Sequence, residues 1–178
     1  FRIKPQYNAL RQAKLKKVKK DDLPKDSLGI WNLGDKSINK FASLKSYKMP
    51  KENAEWMAFL IDMPKEAKDS LPKDSISKSE MRKNKKDEKG KLIIKNFVTG
   101  KELEYSNVTD YTVARNSNAV NFIQLEGDSL KTSIVKLFNP KWEQAQQVLK
   151  KNGKADQITI APDGDKFAFI FSSDTTKN

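Results

Sequence analysis

The residues that most often carry out catalysis are nearly absent from this chain. Its 178 residues include no histidine and no cysteine. This removes the usual general base of a hydrolytic triad, any thiol nucleophile and the commonest metal ligands. The nearest approach to a nucleophile elbow is GDSLK at residues 127–131, which lacks the closing glycine, so we interpret it as a hairpin turn. We therefore predict that the chain itself holds no catalytic residue, no cofactor site and no metal site.

Two other kinds of short motif have simpler structural interpretations. The three Gly-Lys pairs lack the upstream glycine spacing and the Ser or Thr of a phosphate-binding loop. The acidic turn at residues 163–165 lacks the later acidic ligands of a calcium loop, so it is predicted to be a turn. Any function of this chain should therefore lie in binding.

Positive charge is the strongest compositional signal for binding. Lysine and arginine number 35 against 23 acidic residues, a formal net charge of +12. Only four of the basic residues are arginines, and aromatic residues are not interleaved with the lysine runs. Bidentate base recognition and stacking platforms are therefore missing, which argues against nucleic acid. The simpler interpretation is that the excess basic residues lie on exposed loops and contact only solvent. The alternative is that they bind an acidic protein or an anionic surface.

Most of the excess charge lies in two segments that we interpret as insertions. Residues 4–25 (the first insertion) carry a net charge of +6, and residues 64–91 (the second insertion) carry +4. A weak apolar stripe in residues 7–20 predicts a short basic helix, whereas the composition of 64–91 predicts a disordered or protruding arm. The candidate partner-binding residues are Lys16, Lys17, Lys19, Lys20, Lys83, Lys85 and Lys86.

A sequence repeat sets where these insertions fall. The residues that recur after 64 positions are Ile30 and Ile94, Leu33 and Phe97, Phe41 and Tyr105, and Tyr47 and Tyr111. Phe59 returns as Phe122, one position short of that offset, and a looser third copy extends from Val135 to Phe169. Each copy contains four short apolar runs separated by turn residues. This pattern is typical of a four-stranded antiparallel meander, the blade of a β-propeller.

Period-two alternation within each copy predicts the strands. They are 29–33, 37–44, 46–50 and 55–62 in the first copy, 91–97, 101–108, 110–114 and 119–125 in the second, and 133–138, 142–150, 157–161 and 166–172 in the third. Residues 142–150 would also fit a short helix, and only the repeat favours a strand there.

These strands predict an all-β chain in which residues 1–178 form one incomplete propeller of roughly three four-stranded blades. Both insertions follow the fourth strand of a copy, so they should leave the same rim. We expect burial between neighbouring sheets for Ile94, Phe97, Tyr111 and Phe122, and core positions for Trp31, Trp56 and Trp142.

The chain is predicted to begin and end inside a blade. Residues 1–3 resemble the end of a strand, and residues 166–172 resemble a strand whose two successors are missing. We therefore expect a segment of a longer polypeptide, with open sheet edges that favour aggregation when it is isolated. No apolar run approaches the roughly 18–20 residues that a membrane-spanning helix needs.

Several stretches resemble the propeller domain of bacterial prolyl oligopeptidase family serine peptidases. They are IKPQ at 3–6, RQAK at 11–14, PKDSLGI at 24–30, KNFVTGKE at 95–102, NVTDY at 107–111, APDGDKFAF at 161–169 and SDT at 173–175. The resemblance covers essentially the whole chain, and its first thirty-odd residues are the most specific. It departs at residues 115–118, where RNSN stands in place of the usual Ser-x-Asp-Gly turn.

The resemblance implies that the complete protein is a serine peptidase whose propeller caps a hydrolase domain and filters peptide substrates. It also favours an exported or periplasmic location. The domain that carries the family's Ser-Asp-His triad is not in this sequence, so no catalytic residue is transferred. A different class of function remains open. In that alternative, a non-catalytic propeller scaffold binds an acidic protein or an anionic surface through its basic rim.

Overall fold

The computed structural model describes residues 1–19, 22–52, 55–63, 89–127 and 131–173. The described residues form one short helix, α1 (Tyr7–Leu15), and twelve strands. The strands are β1 (Arg2–Ile3), β2 (Ser27–Trp31), β3 (Ile38–Phe41), β4 (Leu44–Lys48), β5 (Trp56–Asp62), β6 (Gly90–Asn96), β7 (Glu102–Val113), β8 (Val120–Glu126), β9 (Thr132–Phe138), β10 (Gln146–Asn152), β11 (Lys154–Ile160) and β12 (Phe167–Ser172). The prediction of a mostly β chain is confirmed, as is a basic helix within residues 7–20.

The strands pair antiparallel and follow chain order. Strands β4 to β10 lie side by side in one seven-stranded sheet, preceded by the sheet β1–β2–β3 and followed by the hairpin β11–β12. Strand β11 packs on β7, β8 and β9, so the last hairpin lies against the larger sheet. Residues 142–150 do not form a helix, because the segment from Gln146 onward pairs with β9.

Strand β7 divides the seven-stranded sheet into two four-strand meanders. Its first half pairs with β6, from Glu102 opposite Lys95 to Val108 opposite Gly90. Its second half pairs with β8, from Val108 opposite Gln124 onward. We call β4, β5, β6 and the first half of β7 the first meander. The second half of β7 with β8, β9 and β10 is the second meander.

This grouping corrects the predicted blade boundaries. The predicted strands 101–108 and 110–114 form the single strand β7, and each meander joins the last two strands of one sequence copy to the first two of the next. The second insertion lies in the β5–β6 connection at the centre of the first meander, whereas the first insertion lies between β1 and β2. No short turn in the sequence marks the β5–β6 hairpin. The sequence repeat therefore predicted the boundary between four-strand units two strands too late in the chain.

A repeated backbone feature marks the point where one unit passes to the next. Ser43 and Asn107 are 64 residues apart and both have φ near 58°, and Gln157 has φ of 52° in the third copy. Asn107 and Gln157 lie where the register between neighbouring strands shifts, as in a β-bulge, and Ser43 directly precedes β4, whose register with β5 shifts after Leu44. The residues that follow them are buried and aliphatic: Leu44, Val108 and Ile158.

The largest core cluster joins the first and second meanders, a second lies between the β1–β2–β3 sheet and the first meander, and a third lies between the second meander and the β11–β12 hairpin. Ile94, Tyr111 and Phe122 are buried as predicted, and Phe122 packs against Tyr105 with ring centroids 4.6 Å apart. The prediction for Phe97 is wrong, because this residue follows the end of β6 and is 39% exposed in the turn.

The three tryptophans have different environments. Trp56 is buried and packs edge-on against Phe138, at 4.9 Å between ring centroids. Trp142 is partly buried. The core prediction for Trp31 is wrong, since this residue ends β2 and is 54% exposed. Alternation places an aromatic on one face of a strand but does not show whether another element covers that face at the strand's end.

Candidate anion-binding cleft

The bases of the two insertions lie side by side. Lys25, at the end of the first insertion, forms an ion pair with Asp62, the last residue of β5 before the second insertion. The Nζ atom of Lys45 lies 3.1 Å from the other Asp62 oxygen and donates a hydrogen bond of 2.7 Å to the Lys89 carbonyl oxygen. One carboxylate thus ties together the points where both insertions leave the sheets.

A cleft of about 760 Å³ opens at this junction, between the β1–β2–β3 sheet and the first meander. We call it the rim cleft. The ends of β3 and β5, the start of β6 and the chain before β2 form its walls. Its lining includes Pro24, Lys25, Lys40, Ser43, Asp62 and Lys91.

Asp62 stays ionised in this cationic setting. Its partial burial acts to raise the pKa of the carboxyl, but the hydrogen bonds and charges of Lys25 and Lys45 outweigh burial, and the pKa lies below its ordinary value. The side chain of Lys45 is only 16% exposed, so the pair is shielded from water more than most surface ion pairs. The Asp62 carboxylate therefore fixes two of the lysines around the cleft.

Lys40 adds positive charge to a cleft whose lining also includes Lys25 and Lys91 and the carboxylates of Asp22 and Asp62. Its side chain is exposed and lines the cleft, and it forms no ion pair within the residues that the structure describes. Lys91, by contrast, contacts the carboxylate of Glu104. Lys25 and Lys40 both line the cleft and are both exposed, so an anionic group such as a carboxylate could approach either ammonium group.

Three of the predicted partner-binding lysines lie outside this cleft. Lys16, Lys17 and Lys19 are exposed in the segment that follows α1, and none of them lines the cleft. The other four predicted lysines are Lys20, Lys83, Lys85 and Lys86, and they lie outside the described residues, as does most of the predicted arm at 64–91.

Sequence reasoning missed the cleft lysines Lys25 and Lys40, and also Lys45, which pairs with Asp62 beside the cleft. Lys40 and Lys45 lie within predicted strands, where alternation identifies them only as polar positions. A usable signal existed for Lys25, because it belongs to the phrase Pro-Lys-Asp-Ser that occurs in both insertions. The partner Asp62 could not be found from spacing, since 37 residues separate it from Lys25.

A second polar cluster joins the two meanders without offering catalysis. The hydroxyl groups of Ser46 and Tyr111 lie 3.0 Å apart, and Lys48 donates a 2.6 Å hydrogen bond to the Tyr111 carbonyl oxygen. Burial raises the pKa of Tyr111 to about 12. The phenol is therefore protonated at neutral pH and cannot act as a general base.

Two further features were sought among the described residues, a cluster of metal-ligating side chains and a membrane-spanning helix. Within them, no group of three or more acidic, histidine or cysteine side chains could hold a metal ion. Likewise, no helix in the described part of the chain is long and apolar enough to span a membrane.

Comparison with known proteins adds no identification. No protein family model matches the sequence, no curated protein matches it, and no solved structure matches the fold.

Proposed function

We propose that this chain is a β-propeller segment that gates or positions peptide substrates for the hydrolase domain of a prolyl oligopeptidase-like serine peptidase. The observation that supports it most is the division of β7 between two four-strand meanders. In a propeller, each blade is such a meander, and the chain passes from the last strand of one blade to the first strand of the next.

Two further observations support the propeller arrangement. Ser43 directly precedes β4 and Asn107, 64 residues later, directly precedes the second half of β7, and both have φ of 58°; Gln157 has a similar φ but lies within β11. In addition, the β11–β12 hairpin packs on the second meander, as a following blade would. A backbone feature that recurs at the start of successive units fits a chain built from repeated blades.

The role proposed for this segment is binding rather than bond cleavage. A sequence without histidine cannot supply a Ser-His-Asp triad, so the triad would come from residues outside this chain. The rim cleft, with Lys40 exposed at its surface, would attract acidic parts of a peptide toward one rim.

Active-site labelling of the natural full-length polypeptide tests this proposal. A fluorophosphonate probe should label a serine outside residues 1–178, and short prolyl peptides should be cleaved faster than long ones because a propeller restricts entry by size. A folded full-length polypeptide that neither reacts with the probe nor cleaves peptides would contradict the peptidase role.

The rim cleft itself favours a second candidate, a non-catalytic scaffold that binds an acidic protein segment. Here the purified chain should bind a glutamate-rich peptide, and Lys40→Gln should weaken binding severalfold because it removes the unpaired cleft cation. Lys101→Gln is the matched control, since Lys101 is exposed directly before β7 and does not line the cleft. Equal affinity of the two variants for the peptide would show that the rim cleft does not bind it. That result would exclude a role for the cleft in either proposed function.

A further inference from the structure

Helix α1 is exposed on the surface of the protein and lacks the usual sources of helix stability. It has only nine residues, buries none of them, and has no side-chain hydrogen bond at its N-terminal cap. Isolated helices shorter than about 12–15 residues are marginal in water, and most helices gain stability by packing an apolar face. A surface that covers α1 would therefore stabilise it.

Within residues 4–19, which contain α1, every charged side chain is basic. Residues 4–19 contain six basic residues and no acidic residue. The six are Lys4, Arg11, Lys14, Lys16, Lys17 and Lys19. None of them forms an ion pair with a described residue. Whatever covers this segment should therefore be anionic.

The outer face of α1 combines apolar and basic side chains. Tyr7 and Leu15 are 75% and 65% exposed, and together with Leu10, Arg11 and Lys14 they border a shallow hollow of about 250 Å³. Basic side chains can lie along an apolar surface while their charged ends reach polar groups, and a tyrosine suits the boundary between apolar and wet regions. This mixture fits the headgroup region of a membrane.

We propose that α1 and the lysines after it dock on an anionic lipid surface. A lipid surface fits better than an acidic protein, because the positive charges are spread along the segment and only one of them is an arginine fork suited to paired carboxylates. This inference does not rest on the propeller proposal, since it depends on α1 and its flanking residues alone.

Vesicle co-sedimentation of the purified chain tests the proposal. The chain should bind vesicles of phosphatidylcholine with phosphatidylglycerol, should not bind phosphatidylcholine alone, and should dissociate as salt rises. The triple variant Arg11→Gln, Lys14→Gln and Lys16→Gln should lower the partition coefficient on the order of 100-fold, because each basic residue near such a surface contributes about fivefold.

The control is a triple variant with the same net charge. It carries Lys51→Gln, Lys101→Gln and Lys141→Gln, at exposed positions away from α1. A loss of binding equal to that of the α1 variant would show that net charge alone drives binding and would overturn the assignment to α1. Binding to soluble polyglutamate but not to anionic vesicles would show that the partner is an acidic protein and would overturn the lipid proposal.

A second variant tests the apolar side chains of α1. Tyr7→Ser with Leu15→Ser should weaken vesicle binding severalfold. Unchanged binding would show that these two side chains do not contact the lipid surface.

Discussion

The hydroxyl oxygen atoms of Ser46 and Tyr111 lie 3.0 Å apart and join β4, the first strand of the first meander, to the second half of β7, the first strand of the second. The Lys48 ammonium adds a cation–π contact, 4.8 Å from the centre of the Tyr111 ring. The two meanders are thus tied by a hydrogen bond as well as by apolar packing.

The buried Tyr111 phenol should make stability fall at high pH. Burial raises its pKa from 10.0 to about 12, so the folded state favours the protonated form. The contribution is fully present below pH 10 and is lost as pH rises through 12, on the order of 2–3 kcal/mol in total. Urea unfolding of wild type and Tyr111→Phe across this range should show a steeper loss in wild type. Parallel pH profiles would mean that the phenol is not buried in this way.

The packing of Phe122 should be worth far more than that of Phe97. Phe122 is fully buried beside Tyr105, so Phe122→Ala should lower the free energy of unfolding by ~3–5 kcal/mol. Phe97→Ala, at a half-exposed turn position, should cost about 1 kcal/mol or less. Similar losses in the two variants would contradict the described core.

The repeated turn residues should reject β-branched side chains. Asn107 has φ of 58°, a conformation that asparagine tolerates and that glycine adopts freely. Asn107→Val should therefore cost about 1–2 kcal/mol, whereas Asn107→Gly should retain wild-type stability. Thermal unfolding of both variants, and of Ser43→Val at the equivalent position, provides the test. A stable Asn107→Val would mean that the turn is not strained as described.

Removal of the Asp62 carboxylate should tighten anion binding while weakening the fold. Asp62→Asn leaves Lys25 and Lys45 without their shared partner, which raises the positive charge of the rim cleft. Affinity for a glutamate-rich peptide should rise severalfold in titration calorimetry. Asp165→Asn, an exposed position outside the cleft, makes the same change in net charge and should leave affinity unchanged.

The same Asp62 contacts predict a loss of stability in acid. Because Lys25 and Lys45 hold the pKa of Asp62 below its ordinary value of 3.8, the stability that it contributes is present above that value. It is lost as pH falls through the lower pKa of the folded state. Acid unfolding of Asp62→Asn should therefore show a weaker pH dependence than wild type below pH 4, and identical profiles would contradict the ion pairs.

Much of the strand pattern could be predicted from the sequence, because alternation and a 64-residue repeat record which side of each strand is buried. Tyr47 pairs with Phe59 and Tyr111 pairs with Phe122, so the repeated residues occupy equivalent cross-strand positions. The grouping of strands could not be predicted, since residues that pair across the second insertion, such as Asp62 and Gly90, are not linked by a short turn. The rim cleft was missed for the same reason.

The most direct test of the proposed propeller is a structure of the natural full-length polypeptide by electron cryomicroscopy. The account predicts that the first and second meanders form separate blades around a common axis, with β4, the second half of β7 and β11 nearest that axis. A seven-stranded sheet that continues in one layer through β7, or blades with these three strands at the periphery, would contradict it.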